Sequence, residues 1–198
     1  MTTTTSEARP AAIASSLRTL YFVRFGFAIV WAIIVGVTAA TITPLSATLL
    51  VLYPVFDAVA AVIDHRASRG TRSAALLYVN LGLSLLAAIG LAFAVTSGRA
   101  AVLLVWGLWA ITAGVVQLIV GISRRSLGGQ WPMIVSGGIS VLAGAAFALQ
   151  SSGASASLVG LAGYATLGGI FFLVSAIRLS RTAKANDRPT EQLVTSNR

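Results

Sequence analysis

The sequence predicts an all-α membrane protein of six transmembrane helices, built as three repeated helical hairpins with both ends in the cytoplasm. Three observations lead there: long apolar runs split by short polar gaps, basic residues confined to alternate gaps, and a repeat with a period of 56. Of the 198 residues, 57% are hydrophobic and only 10% are charged, where an average soluble domain is about a quarter charged. A soluble chain of this length lacks the polar groups to cover so much apolar surface, and lipid requires no such cover.

A bilayer core about 30 Å thick is crossed by roughly 20 apolar residues of helix. Six runs meet that length: 20–41, 45–63, 74–95, 100–121, 132–150 and 155–177. Their polarity does not alternate, which excludes a closed barrel, the other fold that spans lipid. The segment 1–19 reads as a cytoplasmic tail and not a signal peptide, because the run after it is long and five more follow.

The first gap, 41–44, is uncharged; the second, 64–72, carries Arg66, Arg69 and Arg72. Arg99 is the one base in the third gap, Arg124 and Arg125 occupy the fourth, and the fifth has none. With Arg9, Arg18, Arg24 and the bases after 177, one side holds 13 of the 14 basic residues. Positively charged flanks stay in the cytoplasm, so both termini are expected inside, where the bases also meet anionic lipid headgroups. Nucleic acid is not an expected partner, because the bases lie in loops and on no polar face. The segment 180–198 is polar, contains Pro189, and predicts a disordered cytoplasmic tail. That leaves 20–179 as the membrane domain.

Gly26, Gly82 and Gly138 are separated by 56 and 56 residues. The same shift relates Arg69, Arg125 and Arg181; Ala28, Ser84 and Ser140; Ala32, Ala88 and Gly144; and Gly36, Ala92 and Ala148. The repeats run over about 20–75, 76–131 and 132–179. Positions four apart share a helix face, and small residues let helices approach closely where lipid offers no hydrophobic drive to associate. Each odd-numbered helix is therefore expected to pack through such a stripe, around a pseudo-threefold axis along the membrane normal. The fourth helix carries a further stripe, Gly107, Gly114 and Gly121, also read as packing.

Asp57 is the only acid within a run, and Arg24 the only base clearly within one. Arg24 lies roughly 6 Å and Asp57 roughly 10 Å of helical rise from the inner ends of their runs. Arginine can snorkel to the interface; an unpaired Asp at depth is costly. Adjacent helices of one hairpin can bring the two together, and the expected role is an ion pair fixing the first helix against the second. A proton or ion relay needs more polar groups, and Asn80, Gln117, Thr112 and Ser136 are the supply. Asn80 and Ser136 stand where Arg24 would recur, Ala113 and Gly169 where Asp57 would.

His65, the single histidine, reads as a solvated loop residue between Asp64 and Arg66. Trp131 reads as an interfacial anchor, and Trp106 and Trp109 as belt or packing residues. With no cysteine, thiolate metal sites and cysteine nucleophiles are excluded. No HExxH motif, second membrane acid or membrane histidine is present, so neither an enzyme, a metal nor a cofactor is expected.

Val23-Arg24-Phe25-Gly26, then Thr43-Pro44, then Asp57-Ala58 resembles the short repeat of the HdeD family of acid-resistance membrane proteins. Trp106-Gly107 through Gln117 and Gly121 to Arg124-Arg125 is similar to that family's second repeat. The resemblance covers about 18–181. Where the family often has Asp-Gly, this chain has Asp57-Ala58 and Ala113-Gly114. The resemblance implies a small inner-membrane protein linked to acid stress, with no catalytic residues to carry over. High Arg and Ala usage points to a GC-rich bacterial genome, and the resemblance places the protein in the inner membrane. The outer gaps contain no Asp, Glu or His, so an acid response cannot rest on their side chains. The leading expectation is thus a non-enzymatic stress-related or membrane-organising protein. The residues leave two others open: a conduit for protons or a small solute at Arg24 and Asp57, and a module that assembles through its small-residue faces with itself or another membrane protein.

Overall fold

A computed structural model of the chain describes residues 4–67, 74–123, 131–153 and 156–195. It consists of α1 (Thr4–Val37), α2 (Pro44–Ala67), α3 (Ala74–Ser97), α4 (Arg99–Ser123), α5 (Trp131–Ser151) and α6 (Val159–Thr195), with no strand among the described residues. Each helix holds a stretch long and apolar enough to cross a bilayer: Ser15–Val37, Pro44–Arg66, Tyr78–Ser97, Arg99–Ser123, Trp131–Ser151 and Val159–Arg181. Phe93, Leu142 and Leu149 point outward from the bundle. In water such side chains would be a liability; in lipid they are the expected outer surface. The architecture fits a multi-pass membrane protein.

The ends of the helices show how the backbone is satisfied. Thr43 caps α2: its Oγ1 accepts the Ser46 N–H at 3.2 Å, while Ser46 Oγ accepts the Thr43 N–H at 2.8 Å. This is a reciprocal capping box, with Pro44 at the first helical position where its missing N–H costs nothing. Between α3 and α4 the chain turns on Gly98, whose φ of 102° is open to glycine and strained for other residues. Arg99 donates to the Ala40 carbonyl at 3.1 Å, closing the end of the first hairpin. Hydroxyls within the spans mostly bond back to their own helix, as Thr112 does to the Leu108 carbonyl and Thr166 to the Ala162 carbonyl.

The helices form a ring in chain order that closes through α1 and α6. Contact alternates around it: α4 with α5, α1 with α6, and α2 with α3 lie close, and the pairs between them lie looser, α5 with α6 loosest. The closest pair is explained by glycine. A Cβ at Gly107 would lie 2.6 Å from the Gly144 carbonyl oxygen, and one at Gly114 2.8 Å from that of Gly137. Two antiparallel backbones touch there, as the Gly107, Gly114, Gly121 stripe predicts; Gly121 itself packs on Ile134.

The residues of the 56-residue stripes differ in their surroundings. Ala28, Ala32, Ser84, Ala88, Ser140 and Gly144 are buried. Gly36 meets Ala162, and Ala148 meets Gly107. Gly26, Gly82 and Gly138 are corrected: a Cβ at any of them meets nothing within 4 Å. Ala92 is likewise exposed. The identity of a column does not fix the rotation of a helix about its axis; the neighbours do, and they select Gly137 over Gly138.

Two further readings change. Helical backbone runs to Thr195, past the start of the expected tail; Ala183, Lys184, Ala185, Glu191 and Gln192 are good helix formers. His65 belongs to the last turn of α2 and is half-buried, not a loop residue, and Asp64 beside it is buried. Arg69, Arg72, Arg124 and Arg125 lie outside the described residues.

Candidate functional site

Arg24 on α1 and Asp57 on α2 form a direct ion pair through Nη2 and Oδ1. The second carboxylate oxygen, Oδ2, accepts the hydroxyl of Ser84 on α3 at 2.9 Å. The guanidinium also lies over the ring of Phe172 on α6, 4.1 Å from its centroid, a cation–π contact. One pair of charges therefore ties four helices together. The Arg24 and Asp57 side chains retain 15% and 18% of their exposure, and that exposure faces inward.

It faces a half-open cavity of about 730 Å³ lined by residues of all six helices. Arg24, Asp57, Asn80 and Gln117, the four intramembrane polar candidates, all line it. So does Ser136, and with it the whole column of Arg24, Asn80 and Ser136 at 56-residue spacing. No side-chain hydrogen bond joins Asn80, Gln117 or Ser136 to another described residue. At membrane depth those groups require a partner, and the cavity is where water or a guest would supply one. His65 and Arg178 stand at its basic end. Thr112, the remaining polar residue of the expected supply, is exposed on α4 and bonds its own helix.

The cavity occupies one half of the bundle only. All six helices line it, α3 through Asn80 alone, and the lining runs from the helix ends beside the basic segments, at Leu17, His65, Pro132 and Arg178, to mid-span. It stops at Tyr53, Trp109 and Tyr164. Above them the rings of Trp31 and Trp106 stack at 5.2 Å, and Tyr53 meets them at 4.7 and 5.4 Å. Beyond that lies the packed core of Leu50, Leu91, Leu103, Leu158 and Leu161, all fully buried. Trp106 and Trp109 thus pack inside the ring and form no belt. Trp131, 74% exposed, sits at the start of α5 as an anchor would.

The aromatic layer is partly hydrogen-bonded. Pro54 lies inside α2 and is fully buried; lacking an N–H, it leaves the Leu50 carbonyl without its helical donor. The adjacent Leu49 carbonyl accepts the Trp31 indole N–H at 2.7 Å, which ties α1 to that weakened turn. Tyr164 donates to Ser140 at 2.9 Å across the loosest seam. The buried indole N–H groups of Trp106 and Trp109 have no partner among the described residues.

Reading the residues alone missed Tyr53, Trp109, Tyr164 and Phe172 as parts of the site, and took Ser84 and Ser140 for packing alone. One signal was present: Tyr53 and Trp109 are 56 apart. Ser84 and Ser140 had none, because a small hydroxyl in a packing stripe looks the same with or without a polar partner. Scans of family models, curated proteins and solved structures each find no match to this chain.

Proposed function

We propose that the protein is a non-enzymatic carrier of a bacterial inner membrane that takes a small solute from the cytoplasm into the cavity around Arg24 and Asp57. The observation that carries this reading is the half-depth cavity itself, lined by Arg24 and Asp57 and by the amides of Asn80 and Gln117, which have no partner among the described residues. A pair serving only to hold two helices needs no such space. The orientation, with both termini inside, rests on the placement of 13 of the 14 bases on the cavity side. The threefold repeat is supported by the alternation of close and loose helix pairs and by the cavity-facing column of Arg24, Asn80 and Ser136.

The chain has no cysteine, so each introduced thiol reports alone. Asn80→Cys and Gln117→Cys should react with a membrane-impermeant maleimide applied to the cytoplasmic face, and Leu103→Cys, in the packed core, should not. Silence at both 80 and 117 would sink the carrier reading.

The HdeD resemblance supplies a second reading, a role in acid stress. It is favoured by Asp57, the one acid that lines the cavity among the described residues. Survival of a deletion strain complemented with wild type or Asp57→Asn, at matched membrane abundance, tests it. An assembly module acting through the small-residue stripes has less support, because Gly107, Gly144, Ala28 and Gly36 contact other helices of the same chain.

A further inference from the structure

We propose that the cavity binds a small zwitterion with an apolar side group, of the α-amino acid class; this rests on the carrier reading above. The first argument is charge. The deep part of the cavity holds one fixed cation and one fixed anion, Arg24 and Asp57, in contact. A guest with net charge would bring an uncompensated ion to membrane depth. A metal ion would find a single carboxylate there. A zwitterion adds none, and each of its ends meets an opposite charge.

The pair need not break to receive it. Arg24 uses its Nη2 on Asp57, and a guanidinium has five donors in all. Asp57 accepts one bond on each oxygen, from Arg24 and Ser84, and a carboxylate has about four acceptor positions. A guest carboxylate can therefore lie against Arg24 while its ammonium lies against Asp57. Asn80 and Gln117, with no other partner among the described residues, can both donate and accept toward either group.

The second argument is the wall. Phe27 stacks on Phe56 at 3.8 Å, Phe172 lies against Arg24, and Tyr53 and Trp109 form the blind end. These surfaces suit an aliphatic or aromatic side group, and they leave a purely polar solute poorly matched. The volume of about 730 Å³ lies inside the ~300–1,000 Å³ range of small-molecule sites.

The test compares three probes with one phenyl body: phenylalanine, 3-phenylpropionate and phenethylamine, a zwitterion, an anion and a cation. Binding to the purified full-length protein is read from tryptophan fluorescence, since Trp109 lines the site. Phenylalanine should bind at least about tenfold more tightly than either singly charged probe, a difference of ~1.4 kcal/mol. It should also protect from the maleimide the thiol of Ala113→Cys, at a lining residue with no polar role in the proposal. Asp57→Asn should erase the advantage over 3-phenylpropionate, and Arg24→Gln the advantage over phenethylamine; a purely structural pair would not sort the probes by sign. The wild-type comparison needs no variant to fold. Equal binding of all three probes overturns the inference. So does an Ala113→Cys variant that reacts with the maleimide and that phenylalanine at millimolar concentration leaves unprotected. In the latter case the cavity reading survives; silence of Asn80→Cys and Gln117→Cys together removes the cavity reading itself.

Discussion

Asp57 receives Arg24 on one oxygen and Ser84 on the other, so neutralising it affects α1, α2 and α3 together. Removing one partner of a fully buried pair costs ~3–5 kcal/mol. Here 15% and 18% of the two side chains stay open to the cavity, so Asp57→Asn or Arg24→Gln should cost about 1–3 kcal/mol. The exchange Arg24→Asp with Asp57→Arg should recover part of the loss. Unfolding of wild type, Arg24→Asp, Asp57→Arg and the exchange in mixed micelles measures the coupling; additive losses would mean that the pair contributes no net interaction. The indoles provide a sharper contrast. Trp31→Phe removes the bond to the Leu49 carbonyl that ties α1 to the turn weakened by Pro54, which should lower stability by roughly 0.5–1.5 kcal/mol. Trp109→Phe removes a donor that has no partner among the described residues. It should be tolerated far better.

At the scale of helices, neighbouring glycines are expected to behave in opposite ways. A Cβ at Gly137 would sit 2.9 Å from the Gly114 carbonyl oxygen and 3.1 Å from the Leu118 backbone nitrogen. Neither is the free end of a flexible side chain, so α4 and α5 must separate. Gly137→Ala should destabilise by about 1–3 kcal/mol. Gly138→Ala meets open space and replaces a poor helix former, so it should be neutral or gain up to ~1 kcal/mol. Thermal melts of the two variants decide this, and a loss at Gly138 equal to that at Gly137 would contradict the packing described. The pair also marks the limit of what was legible. Apolar runs of about 20 residues located all six spans to within a few residues, because bilayer thickness imposes length on composition. The seven-residue spacing of Gly107, Gly114 and Gly121 announced a close approach. Which residues of α5 answer it was not legible, because one residue turns a helix face by about 100° and only the partner fixes that angle. The 56-residue column chose Gly138, and the fold uses Gly137.

The cavity is a property of the whole ring and of no single helix. It exists because the half of the bundle around Arg24 and Asp57 is lined by polar groups and stacked rings that do not fill it, while the other half is filled by buried leucines. No linear pattern distinguishes a helix that fills its share of the centre from one that leaves space, so Arg24 and Asp57 were visible as candidates and their surroundings were not. The same division bears on mechanism. A channel needs a continuous wet path, and this path ends at Tyr53, Trp109 and Tyr164, with Trp31 and Trp106 stacked beyond. Passage therefore requires those rings to move, and the buried indole donors of Trp106 and Trp109 have no partner among the described residues that would hold them in place. Proteoliposomes holding the wild type should thus leak protons and potassium no faster than empty liposomes. Trp106→Gly should raise the leak, because it removes a fully buried indole from the stack and leaves a void against Tyr53 and Trp31. Leu142→Gly, on the lipid-facing surface of α5, serves as the control and should not. A wild type that already leaks would mean that the aromatic layer is no barrier and that the protein conducts as a pore; a tight Trp106→Gly variant would move the barrier outward to the leucines of the core.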